Sequence, residues 1–277
     1  MAARPLAFPN SWRWIPAELI VRQGTLAMYG TILLGLSAVA LVLQVLDPRL
    51  LESGVNVWVK PAKFLSSVGI FALTAAWFFG YVRPERRNSV PMRAAVAMLL
   101  IGGTFELLWI GWQGANGLES HFNKSTPFYS IMYALMGIFA VVLVASALPL
   151  AWEIGRRPAQ HLRSDFVAAV VAGLVLTFLL GGLLGGYMSS QAGHSVGVEG
   201  GRTFLFGWNR SGGDLRIAHF LGIHAEQAIP IVAALAAEAG LGQRARWAAL
   251  ALGTLAYAGL TLAVFAQAVA GRALFPM

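Results

Sequence analysis

The sequence predicts an all-α integral membrane protein, built as a bundle of seven transmembrane helices. Of its 277 residues, 57% are hydrophobic and only 12% are charged, and the mean hydropathy is +0.67. A soluble domain carries about 25% charged residues, so this chain has too little charge to cover a water-exposed surface. Long apolar runs separated by arginine clusters complete the pattern, which is typical of a polytopic membrane protein.

Seven apolar windows are long enough to cross a bilayer, because a spanning helix needs about 20 mostly apolar residues. Runs such as Val141-Val142-Leu143-Val144 are apolar on every side, so the windows predict helices and not the alternating strands of a barrel. We expect a single membrane domain over residues 25–277. Its spans lie near residues 25–47, 64–82, 94–112, 128–151, 166–188, 217–237 and 247–270.

Residues 1–24 precede the first window and contain no continuous apolar core and no small-residue cleavage site. We therefore do not expect a cleaved signal peptide. Trp12 and Trp14 lie near Pro16, and tryptophans in this setting predict an interfacial segment that rests on the membrane. A frayed tail is the alternative.

The basic residues predict the orientation of the bundle. With a cytoplasmic N-terminus, 12 arginines and lysines lie on the inner side and 8 on the outer side. The short loops 83–93 and 152–165 are strongly basic, as expected of cytoplasmic loops. We therefore expect the N-terminus in the cytoplasm and the C-terminus outside. The excess of arginine, 17 against 3 lysines, and the lack of a targeting signal favour a bacterial inner membrane.

Composition also excludes several functions. The formal net charge is +8, but the basic residues are spread in short clusters, so we expect no nucleic-acid partner. Without cysteine, the chain cannot form disulfides, thiolate metal sites, iron–sulfur clusters or a cysteine nucleophile. The zinc motif HExxH and the acyl-transfer motif GxSxG are both missing from the sequence.

Glu106 is the strongest single indication of function. It lies in the third window, about 9 Å inside the predicted outer end of the helix. An ionised carboxylate at that depth costs several kcal/mol unless it is paired, so such residues are rare and usually functional. Trp109 and Gln113, at i+3 and i+7, share its helical face and are candidate substrate-binding residues. A structural ion pair or a hydrogen-bonded neutral carboxyl is the alternative for Glu106.

The sixth window carries a polar stripe. Arg216, His219, Glu226 and Gln227 fall within roughly 100° of one another on a helix, and His224 lies further round. Four such residues are too many to face lipid, so the stripe is expected to face the bundle or a cavity. Glu226 joins Glu106 as a candidate catalytic residue, and Arg216 and Gln227 are candidate substrate-binding residues.

Two lysines open the second window in the segment WVKPAKFLSS, with Pro61 at a first-turn position. Lys60 and Lys63 lie on the predicted outer side, where positive charge should be scarce. Snorkelling to the interface explains both lysines. Pairing of Lys63 with Glu106 is the alternative, and it makes Lys63 a third candidate catalytic residue.

Glycines in the fifth window form two overlapping small-xxx-small patterns, which predict tight helix packing and offer a contact for a homo-oligomer. These glycines are Gly181, Gly182, Gly185 and Gly186. The following loop, residues 189–215, is rich in glycine and is longer than most loops. Its aromatic residues predict that it returns to the membrane interface; they are Phe204, Phe206 and Trp208.

Histidines suggest a cofactor. Four of the five lie on the predicted outer side, namely His121, His194, His219 and His224. Imidazole suits haem b and ions of copper, iron or zinc, so we expect His219 and His224 to bind a cofactor, with His121 and His194 as further metal ligands. The first hypothesis is therefore a haem- or metal-dependent membrane enzyme acting on a lipid-soluble substrate.

Two other hypotheses remain open. The second is a small-solute or proton-coupled transporter or sensor, which uses Glu106, Lys63 and the histidines without a cofactor. The third is an assembly factor whose polar stripe is an interface with another membrane protein. Membrane lipids surround the protein in all three.

Overall fold

The computed structural model describes residues 15–203 and 206–276, and most of these residues are helical. Among them, six segments are long and apolar enough to cross a membrane, or seven if one bent helix pair counts as a single span. The chain thus fits a multi-pass membrane protein, while the count of seven and the orientation stay predictions. Contacts divide it into two compact units, which meet in sequence between Leu162 and Arg163. Each unit is described by itself, and the single domain over 25–277 also stays a prediction.

The first unit contains the predicted first four spans. Helices α1 and α2 pack closely, because a Cβ atom on Gly30 would lie 2.8 Å from the carbonyl oxygen of Gly69. A Cβ atom on Gly102 of α3 would likewise lie 2.8 Å from the backbone of Phe139 and Leu143 in α4. The helices of this unit are α1 (Ile15–Leu46), α2 (Val59–Phe79), α3 (Val90–Ala115), α4 (Pro127–Ala145) and α5 (Ala147–Arg156).

Helix α1 begins before the predicted first span. It starts at Ile15 and is interrupted at Gln23, whose φ of −157° and ψ of 89° are not helical. The side chain of Gln23 accepts a hydrogen bond from the amide of Thr25, which caps the second part of the helix. A short helical segment therefore precedes the span, whereas Trp12 and Trp14 lie outside the described residues.

Two basic loops of the first unit are joined by one buried acid. Glu153 is 2% exposed and accepts a hydrogen bond of 2.7 Å from Nε of Arg86. Arg157 lies 3.6 Å from the same carboxylate, and Val82 pairs with Pro158 through a backbone bridge. The loops predicted to be cytoplasmic therefore lie together at one end of this unit.

The second unit contains the last three predicted spans. A π-helical turn, Thr177–Gly181, joins α6 and α7 within one continuous helical segment. The glycine-rich loop is partly ordered by a small antiparallel sheet, in which β1 (Ser195–Val196) pairs with β2 (Gly213–Asp214). The helices are α6 (Ser164–Leu176), α7 (Gly182–Ser190), α8 (Leu215–Ile223), α9 (Ala225–Glu238) and α10 (Gln243–Val269).

The predicted sixth span is broken. Helices α8 and α9 meet at His224 with a bend of 55°. Pro230 lies inside α9, and its ring nitrogen cannot donate the hydrogen bond that a helix needs at the carbonyl of Glu226. Side chains of neighbouring helices bind the carbonyls exposed by the break. The hydroxyl of Tyr257 donates to Leu221 at 2.6 Å, and that of Thr177 donates to Ile223 at 3.4 Å.

The glycines of the fifth predicted span divide into two rows. A Cβ atom on Gly181 would lie 2.8 Å from Ile223, and one on Gly185 would lie 2.8 Å from the ring of His219. Added Cβ atoms on Gly182 and Gly186 would meet no atom within 4 Å. Only the first row therefore provides the predicted close packing within the unit.

The two rows predict opposite effects of added volume. Gly185→Ala should lower the free energy of unfolding by about 1–3 kcal/mol, because the imidazole of His219 is held in place and cannot move away cheaply. Gly186→Ala is the matched control and should be neutral or slightly stabilising, since alanine favours helix. Thermal unfolding in mild detergent measures both. Equal destabilisation by the two variants would contradict the packing described here.

Candidate functional site

In the first unit, α3 places Glu106 beside a histidine of the following loop. The Glu106 side chain is almost fully buried, with 2% of the residue exposed. Its Oε2 atom lies 3.8 Å from Nε2 of His121, and its Oε1 atom has no hydrogen-bond partner among the described residues. This distance is too long for a hydrogen bond, but a small movement of either side chain closes it.

The two residues predicted to share the helical face of Glu106 hold the loop that carries His121 in place. Trp109 donates its indole N–H to the carbonyl of Ser120 at 3.1 Å, and Gln113 donates to the carbonyl of Glu119 at 3.3 Å. Both residues therefore orient the segment that carries His121, and their predicted role in substrate binding is untested. One face of α3 thus supplies the acid and fixes the position of its histidine.

Phe122 is a strained residue directly after His121. Its φ of +62° lies in the left-handed region, which side chains other than glycine adopt at a cost of order 1–3 kcal/mol. The Phe122 ring packs 5.5 Å from that of Tyr133, which also lies near the imidazole. Backbone strain of this kind clusters at functional sites, so it marks this loop independently of the buried acid.

His121 lies in a partly buried, aromatic setting. Its ring centroid is 5.8 Å from that of Phe64, and its Nδ1 atom is 3.2 Å from the hydroxyl of Ser120. Burial lowers the pKa of His121 well below its usual value of 6.5, and the positive charge of Lys60 lowers it further. The imidazole is therefore neutral at neutral pH. The predicted pair between Lys63 and Glu106 stays a prediction.

In the second unit, the break between α8 and α9 carries the other buried acid. Glu226 is fully buried, and its backbone amide donates to the hydroxyl of Thr177 at 2.9 Å. Its Oε1 atom accepts a hydrogen bond of 2.8 Å from the side chain of Gln227, and its Oε2 atom has no partner among the described residues. The π-helical turn thus contacts the helix break at the backbone of Glu226.

A polar chain leads from Glu226 to a histidine. The Gln227 amide oxygen lies 3.2 Å from Nδ1 of His224, and an amide oxygen can only accept, so Nδ1 carries the hydrogen. The ring of His224 packs 4.3 Å from Phe220. His224 and Gln227 are therefore in direct contact, and their predicted roles in cofactor and substrate binding stay predictions.

His219 faces Gly181 and Gly185, the closely packed row of glycines. Its Nδ1 atom lies 3.1 Å from the carbonyl oxygen of Gly181, which can only accept, so Nδ1 carries the hydrogen in this contact. In the neutral ring, Nε2 then holds the lone pair. Most histidines that bind metals are oriented by a hydrogen bond of this kind.

Arg216 lies in the first turn of α8 and is bound to the residue that caps this helix. Asp214 accepts hydrogen bonds from the amide of Arg216 at 3.0 Å and from its guanidinium at 2.6 and 2.9 Å. Burial raises the pKa of Asp214, but the hydrogen bonds and the charge of Arg216 outweigh it and hold the pKa below its usual value. Asp214 is therefore the N-cap of α8. Arg216 and His194 both line a cavity in the glycine-rich loop.

The predicted metal centre gains no support from this geometry. Within residues 15–203 and 206–276, no three histidines, aspartates or glutamates come close enough together to hold a metal ion. Haem requires only one or two axial ligands, and the orientation of His219 is compatible with that role. In comparisons with known proteins, no family model, no curated protein and no solved structure matches the chain.

Sequence reasoning missed several residues of the two sites. Thr177 is fully buried and binds both sides of the helix break, but a lone threonine in an apolar window gives no distinguishing pattern. The strain at Phe122 has no sequence pattern either. Glu199 lines the cavity beside Arg216 and His194. It was missed because a single acidic residue in a glycine-rich loop is usually a solvated surface residue.

The low pKa of His121 predicts how stability depends on pH. As the pH falls below about 6.5, the unfolded chain takes up a proton that the folded site resists, so unfolding becomes more favourable. His121→Gln removes this group and should weaken the loss of stability, by at most about 1.4 kcal/mol for each unit of pH. Thermal unfolding between pH 7 and pH 5 measures the difference.

The matched control is His161→Gln, because His161 is exposed in another loop. This variant should keep the pH dependence of the unchanged protein. If His121→Gln kept it as well, the imidazole of His121 would not be held neutral by its surroundings.

Proposed function

We propose that this protein is a proton-coupled transporter of a bacterial inner membrane, with a cytoplasmic N-terminus and an outer C-terminus. One observation carries the proposal. Each unit buries a carboxyl inside a membrane-length helical segment, leaves one of its oxygens without a hydrogen-bond partner among the described residues, and places a histidine near it, 3.8 Å away in the first unit and joined through Gln227 in the second. Ionisable residues in such positions mark proton and ion pathways in membrane proteins.

Glu106 and His121 supply the proton exchange of the first unit. The carboxyl and the imidazole can each take up and release one proton. Oε2 and Nε2 are 3.8 Å apart, so a small movement brings them within hydrogen-bond distance. The histidine lies in a loop outside the helix, where it can pass a proton to water. Glu106 would therefore be loaded and unloaded through His121.

Glu226 supplies the proton or solute site of the second unit. Discontinuous helices with their ends inside the membrane surround the binding sites of many transporters, because the break frees backbone groups for a ligand. A π-helical turn packs against this break, and such turns occur frequently at functional sites. Gln227 and His224 extend the polar path away from the buried carboxyl.

Neutral substitutions at the two acids test the proposal. The protein is reconstituted into liposomes that contain a pH-sensitive dye. Proton entry is followed after the outside medium is made more acidic than the inside. Glu106→Gln and Glu226→Gln should each reduce the rate at least tenfold, because glutamine keeps the shape and polarity of the side chain but has no group that takes up or releases a proton near neutral pH. Glu238→Gln should retain the full rate, since Glu238 is exposed at the end of the same helix as Glu226.

The comparison with Glu238→Gln separates a loss of transport from a loss of protein during reconstitution. A rate that does not change in either buried-acid variant would contradict the proposal. The proposal would also be contradicted if the unchanged protein gave the same rate of proton entry as protein-free liposomes under every solute gradient tested.

A second function, a haem- or metal-dependent enzyme acting on a lipid-soluble substrate, is favoured by the orientation of His219. It predicts a Soret band or a near-stoichiometric metal in protein purified in mild detergent, lost in His219→Ala and retained in His161→Ala. An absorption spectrum and elemental analysis measure both. A featureless spectrum without metal would contradict this function and leave the transporter.

A further inference from the structure

The glycine-rich loop between α7 and α8 lines a small, half-open polar cavity. Its volume is about 220 Å³, below the roughly 300–1,000 Å³ of pockets that hold drug-sized ligands. Its lining includes two guanidinium groups and one carboxylate, from Arg202, Arg216 and Glu199. His194 and the backbone of three glycines also line it. Such a space suits a compact, charged metabolite.

Arg216 presents a fixed cationic edge to this cavity. Its Nε and Nη2 atoms donate to Asp214 at 2.9 and 2.6 Å, and Nη2 also donates to the carbonyl of Gly207 at 2.8 Å. Nη1 makes no hydrogen bond to any residue that the structure describes. The guanidinium is therefore held rigidly on one side, and two N–H donors remain for a ligand carboxylate.

Glu199 presents a negative charge to the same cavity. It is an exposed residue, and within the described part of the chain its carboxylate forms no ion pair or hydrogen bond. A ligand in this space therefore meets an available cationic edge and an available carboxylate. Glu199 therefore favours a cationic group of the ligand, and the remaining N–H donors of Arg216 favour an anionic group.

The cavity wall is built before any ligand arrives. Asn209 is buried and joins two sides of the loop, since its amide donates to Val198 at 2.9 Å and accepts from Gly200 at 3.2 Å. Gly207 has a φ of +62°, which places its carbonyl against Arg216 in a conformation that other residues adopt poorly. A preformed wall of this kind lowers the entropy cost of binding.

We propose that this cavity binds a small zwitterion, a molecule of amino-acid size that carries one carboxylate and one ammonium group. The carboxylate accepts from Nη1 of Arg216, and the ammonium group pairs with Glu199. Binding here is an equilibrium property of the loop and does not depend on the proton transport proposed above.

Four probes of related size test the charge requirement. L-Alanine and 4-aminobutyrate carry both charges, at short and longer separations, whereas butyrate carries only the carboxylate and butylamine only the ammonium group. Binding is measured by calorimetry on full-length protein in mild detergent. At least one zwitterion should bind ten times more tightly than both singly charged probes, because only a zwitterion meets both groups.

Three variants assign the binding to this cavity. Arg216→Gln should weaken binding of the zwitterion at least tenfold, and so should Glu199→Gln, which leaves butyrate binding unchanged or tighter. Glu199 is exposed and makes no contact that folding requires, so its variant remains informative if the loss of the Asp214 partner unfolds Arg216→Gln. Arg272→Gln is the matched control, an exposed arginine outside the cavity in the same unit, and it should bind as the unchanged protein does.

Butyrate that binds as tightly as both zwitterions would overturn the proposal in favour of a plain anion site. The proposal is also overturned if neither zwitterion binds, or if Glu199→Gln keeps the full preference for a zwitterion. These outcomes concern binding alone, so they are distinguishable from a failure of proton transport in liposomes.

Discussion

The contact between the π-helical turn Thr177–Gly181 and the broken helix pair α8 and α9 organises the whole second unit. In hydrocarbon, each backbone group must find a partner within the protein, so a helix can break only where another segment replaces the lost hydrogen bonds. The hydroxyl of Thr177 does this on both sides of the break, accepting from Glu226 and donating to Ile223. Gly181 allows the approach and also orients His219 through its carbonyl. Placement of the buried acid and the histidine therefore follows from one interhelical contact.

The first unit places its buried acid and its histidine in a different way. Its buried acid lies in an unbroken helix, and the irregular backbone is confined to the loop that follows. Trp109 and Gln113 bind the carbonyls of that loop, which brings His121 to the carboxyl of Glu106. In the first unit, therefore, side chains on the same helix as the acid determine where the histidine lies.

Sequence reasoning predicted the helices well and the sites only in part. Membrane-length apolar windows have few alternatives in a chain with so little charge, so helices lie within a few residues of the predicted windows except at α1, which begins at Ile15. The number of these helices that cross the membrane stays a prediction. Glu106 and Glu226 were identified because a charge inside an apolar window is conspicuous in the sequence. The π-helical turn, the 55° bend and the strain at Phe122 were not foreseen, since each depends on contacts with distant residues. The cavity beside Arg216 was missed for the same reason.

The two side-chain hydrogen bonds that satisfy the end of α8, from Tyr257 to Leu221 and from Thr177 to Ile223, also determine how easily this unit can change shape. A swing of α8 relative to α9 would have to break both, at a cost of about 0.5–1.5 kcal/mol each. If no other contact changed, their sum of about 1–3 kcal/mol would correspond to an alternative conformation populated by roughly one molecule in six to one in 160, a range in which a ligand of modest affinity can shift the balance. These two hydrogen bonds therefore set a lower limit on the free energy that any hinge motion at the break must overcome.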